Sequence, residues 1–443
     1  MLQKIGFVPG FNKQITSTGA ENRWTGGENV RFRYGTPEKI GGWNQLGASK
    51  LTGVTRGLHH FVNKASIKYA AIGTNRILYV YSNNFYYDIH PIKTDFGALT
   101  DKLACTSGSP ILTITLSSTT GMTAGDILFL ENVTPPTGSG YSAADFDNKT
   151  FMITSVVNTT SVTITMGTNA SASATDGDLS VKYYYPVGPV DQVAGYGWGT
   201  SAWGGSTGWG SETSTSDTVI DPGQWSLDNL GQTLIALIVN GECFEWDSNA
   251  TNPTNNRATI ISGAPTASRD MVVSTPDRHL VFFGTETTIG TPSTQDDMFI
   301  RFSSQENIND YTPTAINSAG SQRLADGSRI IGAKLGRNAI YVWSDTSLFT
   351  MRFVGTPFTF SFEQVGNNCG LLGMNAAVEV DGTAYWMSDN GFFRYTGRLE
   401  SMQCLVEDYV YDDLNTTSNQ LVYAGINNLF GEITWFYPTS TSN

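Results

Sequence analysis

The turn Ser388-Asp389-Asn390-Gly391 and three pairs of neighbouring carboxylates, Asp296-Asp297, Asp176-x-Asp178 and Asp412-Asp413, are the residues whose types and spacing could do chemistry. A Ser-Asp turn at a hairpin end could serve glycoside hydrolysis if a carboxyl pair converged on one sugar. The Asp-box pattern, however, needs a serine two residues before its aspartate, and Met387 stands there. No arginine triad or tyrosine–acid pair can be placed beside it, so the chain reads as a protein without enzymatic activity. The acid pairs could attract Ca2+, but none brings the roughly six oxygen ligands such an ion takes, and they read as solvated turns. Cys105, Cys243, Cys369 and Cys404 lie far apart with no CxxC or Cys/His spacing. That pattern argues for buried thiols and against a metal centre or disulfide framework, and no cofactor is expected. Four histidines, His59, His60, His90 and His279, leave few candidates for a general base near neutral pH.

The elements that carry these residues repeat. Tyr341–Phe353 (YVWSDTSLFTMRF) and Tyr385–Gly397 (YWMSDNGFFRYTG) align without a gap, each an alternating strand, a polar turn and an aromatic strand, the pattern of a β-hairpin. Further copies begin at Ala70 and Ala236, and a weaker one at Leu280, where a long polar loop separates the strands. The spacing is 44 residues from 236 to 280 and again from 341 to 385. A period near 44 in an all-β chain is the length of one propeller blade, a unit that must stack on neighbours to bury its faces. The reading is a β-propeller of about six blades built from 58–94 and 219–437. Between them, residues 105–185 hold five short alternating segments, which predict a small β-barrel or β-sandwich inserted at 95–190.

Charge is distributed unevenly. The chain carries −13, yet residues 1–64 hold nine Lys or Arg against three Glu, so this arm is +6 and the remainder −19. Such a body would repel nucleic acid, and the basic arm suits an acidic protein surface instead. Within the arm, Val30, Phe32 and Tyr34 alternate with Arg31 and Arg33, predicting a strand closed by the Gly41-Gly42-Trp43 turn. Trp24 and Trp43 either pack locally or meet a neighbouring subunit. No apolar run is long enough for a membrane span and no basic-then-apolar leader is present, so neither a span nor a secretory signal is expected.

The run ENRW…GENVRFRYGTPEKIGGW resembles the N-terminal segment of tail nozzle, tail tubular or stabilisation proteins of short-tailed bacteriophages. Asn29 to Phe32 and Gly41-Gly42-Trp43 stand where that family's N-x-R-F and GG-W elements fall. Phe302–Pro313 and Ser321–Ile331 are similar to its propeller loops, and residues 195–210 to its Gly/Trp run. The resemblance implies a structural virion protein, a nozzle or hub subunit that lines the DNA conduit and joins adaptor to distal tail. It implies a closed ring, a hexamer, located in the virion tail and assembled in the host cytoplasm. Its partners would be further copies of itself, a tail adaptor or portal-associated protein, and tail fibres or spikes, with DNA only as passing cargo. Arg23, Trp24, Arg31, Arg33, Lys39 and Trp43 are then the expected assembly surface. Tyr196, Trp198, Trp203 and Trp209 interrupt a tract otherwise suited to a flexible linker at 191–218, and would anchor it on a protein surface. Family members usually continue past a point corresponding to 443, so the last blade is closed by N-terminal strands or the sequence is a fragment. An acidic bore follows from the −19, because each exposed cation would grip a phosphate. The competing reading is a lectin-like propeller that binds a receptor or glycan through exposed aromatics.

Overall fold

A computed structural model describes residues 6–16, 18–47, 49–192, 220–355 and 357–442. The chain is all-β, a β-propeller of five four-stranded blades with an inserted closed barrel. It divides into two compact units.

The first unit comprises residues 1–50, 239–242 and 262–443. Its three blades are each an antiparallel meander in chain order. The third blade of the chain pairs Ser268–Ser274, His279–Thr285, Phe299–Phe302 and Gly320–Arg323. The fourth pairs Ile330–Leu335, Ile340–Ser344, Ser347–Gly355 and Thr359–Asn367, and the fifth Ala377–Val380, Thr383–Ser388, Gly391–Tyr395 and Leu399–Met402. Apolar residues at alternate positions fill the space between neighbours. Val281, Phe283 and Ile300 face Ile340, Val342 and Phe349, while Trp343 and Trp386, both fully buried, meet at 5.5 Å. A polar tie reinforces this packing: buried Asp270 accepts the Ala333 amide at 2.7 Å, joining third blade to fourth.

The second unit comprises residues 51–238 and 243–261. The first blade pairs Thr55–Val62, Lys68–Thr74, Leu78–Ser82 and Phe85–Asp88, and the second Trp225–Leu230, Thr233–Ile238, Cys243–Asp247 and Thr259–Ile260. Between them in sequence a six-stranded antiparallel barrel closes through Ile92–Cys105, Ile111–Thr115, Ile127–Thr134, Lys149–Asn158, Ser161–Thr165 and Ala174–Tyr184. Leu103, Leu112, Ile114, Leu128, Leu130, Val162, Ile164 and Val181 fill it with no solvent exposure. Closing the sheet removes its edges, which decides for a barrel over a sandwich.

Every copy of the repeated hairpin proves to be the middle two strands of a blade, and five copies make five blades. The expectation of about six is therefore corrected. After the fifth blade the chain turns through a short helix, Glu407–Asp413, into a hairpin of only two strands, Tyr423–Asn427 and Glu432–Phe436. The barrel holds one strand more than the five segments foreseen. Ile92–Cys105 is long and mostly solvent-facing, with Gly97 at φ +64° and register shifts along its ladder, so it lacks clean alternation. Strand Val30–Arg33 is not closed at Gly41-Gly42-Trp43. Tyr34 and Gly35, at φ +50° and +79°, turn it tightly onto Thr36–Lys39. Among the described residues no helix is long and apolar enough to cross a membrane.

Candidate assembly surface

The hydrolysis-like turn is structural. Tyr411, from the short helix, donates its hydroxyl to the Ser388 carbonyl and accepts the Gly391 amide at 3.2 Å, while the Ser388 hydroxyl donates to Asn390 Oδ1 at 3.1 Å. Burial pushes the Asp389 carboxyl above its ordinary value, with Arg329 opposing and Asp345 adding to the effect. Five of these six paired carboxylates accept hydrogen bonds within the fold. Asp297 takes a two-pronged contact from Arg269 at 2.7 and 2.8 Å, and Asp296 accepts Arg323 Nε at 2.7 Å. Burial works against ionisation at Asp296, but the bonds from Arg323 and the Met298 amide outweigh it and hold its pKa below the usual value. Asp176 and Asp178 accept the amides of Thr137 and Asp101, and Asp413 accepts the Ser440 hydroxyl. Among the described residues no three His, Cys, Asp or Glu side chains gather as metal ligands. The thiols are free. Cys105, Cys243 and Cys369 are buried, and burial raises Cys369 to about 11; Cys404 is half-buried.

The arm folds onto its own unit. Val8–Phe11 runs parallel to Arg23–Trp24, and the Lys13 amide donates to the Leu405 carbonyl at 2.8 Å. Trp24 lies 5.2 Å from Phe7 and 6.3 Å from Phe32, an aromatic core for the arm, and its buried Nε1 has no hydrogen-bond partner among the described residues. Arg31 is committed within the chain. Its guanidinium lies 3.5 Å from the Phe430 ring centre, its Nε is 3.3 Å from Glu432, and its side chain is 12% exposed. Arg33 and Lys39 are solvent-exposed, Arg23 half-buried. Arg33 spans Tyr34 and Phe430 at 5.2 and 5.4 Å. Trp43 stands 87% exposed, its ring centre 6.5 Å from that of Phe436 in an edge contact. The expected assembly residues thus separate by role: Trp24 packs inside the arm and Arg31 ties the arm to the terminal hairpin, while Arg33, Lys39 and Trp43 face outward. Tyr196, Trp198, Trp203 and Trp209 lie outside the described residues.

This division changes what charge reversal tests. Arg31→Glu would set a carboxylate beside Glu432 and remove the cation from Phe430, a loss of about 2 kcal/mol for a desolvated contact. Hydrogen exchange is expected to show amides 30–39 losing protection in that variant, whereas Arg33→Glu leaves them protected.

A second polar cluster, in the other unit, was not legible in the sequence. Arg257 grips Asp88 at 3.1 and 3.2 Å and donates to the His90 carbonyl at 2.9 Å. The Tyr184 hydroxyl donates to the same carboxylate at 2.5 Å, and its ring stacks on His90 at 4.9 Å. His90 Nδ1 accepts the Leu78 amide at 3.0 Å, so the neutral ring carries its proton on Nε2 and donates to the Tyr185 carbonyl at 2.8 Å. These residues tie the end of the first blade, the last barrel strand and the second blade together. Burial lowers the His90 pKa to about 4, Asp88 and the Tyr185 carbonyl opposing and Arg257 assisting. Burial and the neighbouring Asp88 push the Tyr184 phenol up. Only His90-Pro91, as a chain breaker, signalled the place.

No family model and no curated protein matches this chain. Among solved structures it is similar to an endosialidase of phage phi92, at 12% identity and TM-score 0.27 over 87% of this chain and 64% of that one. It is also similar to the Cps50 (Swd1) β-propeller domain of Myceliophteria thermophila, at 7% identity and TM-score 0.32 over 88% and 98% of the two chains. The chain spans 64% of the length of that endosialidase chain.

Proposed function

We propose that this protein is a structural subunit of a phage tail, a nozzle or hub component that assembles as a closed ring, works without enzymatic activity and lines a conduit through which DNA passes. The observation that carries the reading is the arm. The same segment that resembles the nozzle family presents Arg33, Lys39 and an 87% exposed Trp43 to solvent, on a chain whose other residues sum to −19. A large apolar ring beside cations, on an acidic body, is the composition of a contact between subunits. Its partners would be further copies, the adaptor or portal-associated protein, and tail fibres or spikes.

Native mass spectrometry of the purified protein, paired with a glycan array, tests this. A closed oligomer, six copies on the family's pattern, with no glycan signal is expected. A monomer with reproducible glycan binding overturns the reading in favour of a lectin-like propeller. The assembled ring is further expected to bind duplex DNA no more tightly as salt is lowered, since an acidic bore offers no phosphate contacts whose counterions could be released.

A further inference from the structure

The five blades each pair four strands, while the hairpin Tyr423–Asn427 with Glu432–Phe436 pairs two. On one side, Tyr423 bridges to Asn375 at the approach to the fifth blade. Along Glu432–Phe436 the other edge meets no strand among the described residues, so it presents unpaired backbone groups of the kind that accept an added strand. The arm hairpin packs beside this edge through Arg31 without pairing with it.

The surroundings of that edge are apolar and open. Phe436 is 50% exposed, Leu429 at the hairpin turn 80%, Tyr34 91% and Trp43 87%. They form two clusters, one at each end of Glu432–Phe436: Trp43 meets Phe436 at the far end, and Arg33 joins Tyr34 to Phe430, next to Leu429, at the turn end. Single exposed apolar residues are ordinary, but two exposed clusters flanking an open strand edge mark an interaction surface. Its cations, Arg33 and Lys39, select an acidic occupant, and the chain itself supplies one in its −19 body. We infer that this composite face, the arm hairpin and the terminal hairpin together, docks a second copy of this chain, which lays backbone along Glu432–Phe436 and covers Tyr34, Trp43 and Leu429. A patch of one copy meeting a different acidic surface of the next is a heterologous contact, the geometry that closes rings.

This rests on the ring reading and names its surface. The experiment compares wild-type protein with Trp43→Ala/Leu429→Ser and with Phe358→Ser, a control at another exposed apolar residue, 77% exposed on the fourth blade's outer turn. Sedimentation velocity over a range of concentrations reads assembly, and thermal unfolding reads the fold. The double variant is expected to weaken self-association at least tenfold with an unchanged unfolding midpoint, while Phe358→Ser assembles as wild type. In the assembled wild type, amides 432–436 are expected to gain hydrogen-exchange protection over the dissociated protein. Wild-type rings with equally stable double-variant rings would overturn this surface and leave the ring reading standing. A wild-type monomer at every concentration would overturn both.

Discussion

Acidification from about pH 7 to pH 4 is expected to remove about 3 kcal/mol of folding stability through His90 alone. The folded ring titrates near 4 because it is buried and its Nδ1 is occupied by the Leu78 amide, whereas the unfolded side chain titrates near 6.5. Between those values the unfolded chain binds a proton that the folded chain does not. Stability is therefore complete above 6.5, falls with pH through the window and is fully lost from this group near 4. Protonating Nδ1 would break the Leu78 bond and set a cation beside Arg257, at the place where blade and barrel strands converge. Urea unfolding at several pH values checks this. His90→Gln is expected to be less stable at neutral pH, yet to lose one proton's worth of slope between pH 6.5 and 4. A variant with the full wild-type slope would show that the acid sensitivity comes from other groups.

Trp225→Ala is expected to cost about 3–5 kcal/mol, the range for removing a large aromatic from a packed core. Its indole is 1% exposed, donates to the Thr74 carbonyl at 2.8 Å and fills the space between the first two blades. Gly73 makes that space. A methyl at 73 would lie 2.4 Å from Trp225 Cδ1, so Gly73→Ala is expected to cost about 1–3 kcal/mol by overpacking a site with no room to yield. The two changes address one contact, so they should not add. With the indole gone the methyl has room, and the double variant is expected to recover about 1–3 kcal/mol relative to the sum. Chemical denaturation of all four proteins gives the coupling directly. Additive losses would mean that Gly73 and Trp225 do not share this packing.

The repeated hairpin was legible from sequence because its signals are local: alternation fixes strands, and a polar turn of fixed length joins them. Alternation also located the barrel, since Ile111–Thr115 and Ser161–Thr165 keep one apolar face. Where no local signal existed, only the tertiary structure decided. Ile92–Cys105 is held by the long ladder it makes with Ala174–Tyr184, a partner some eighty residues away. The number of blades depended on whether the last residues supplied four strands or two, and nothing in their composition distinguishes these. Arg31 and Arg33 look identical in sequence, two cations on one face of a strand. Arg31 lies 3.5 Å from the Phe430 ring centre and beside Glu432, 12% exposed, whereas Arg33 only skirts the same ring at 5.4 Å and faces solvent, because the terminal hairpin covers the strand closely at one position and only at its rim at the other. The Asp88, His90, Tyr184 and Arg257 cluster draws on residues up to 169 apart in the chain. Composition and periodicity describe each of those residues singly, and only the folded chain, by excluding water around them, turns them into one network.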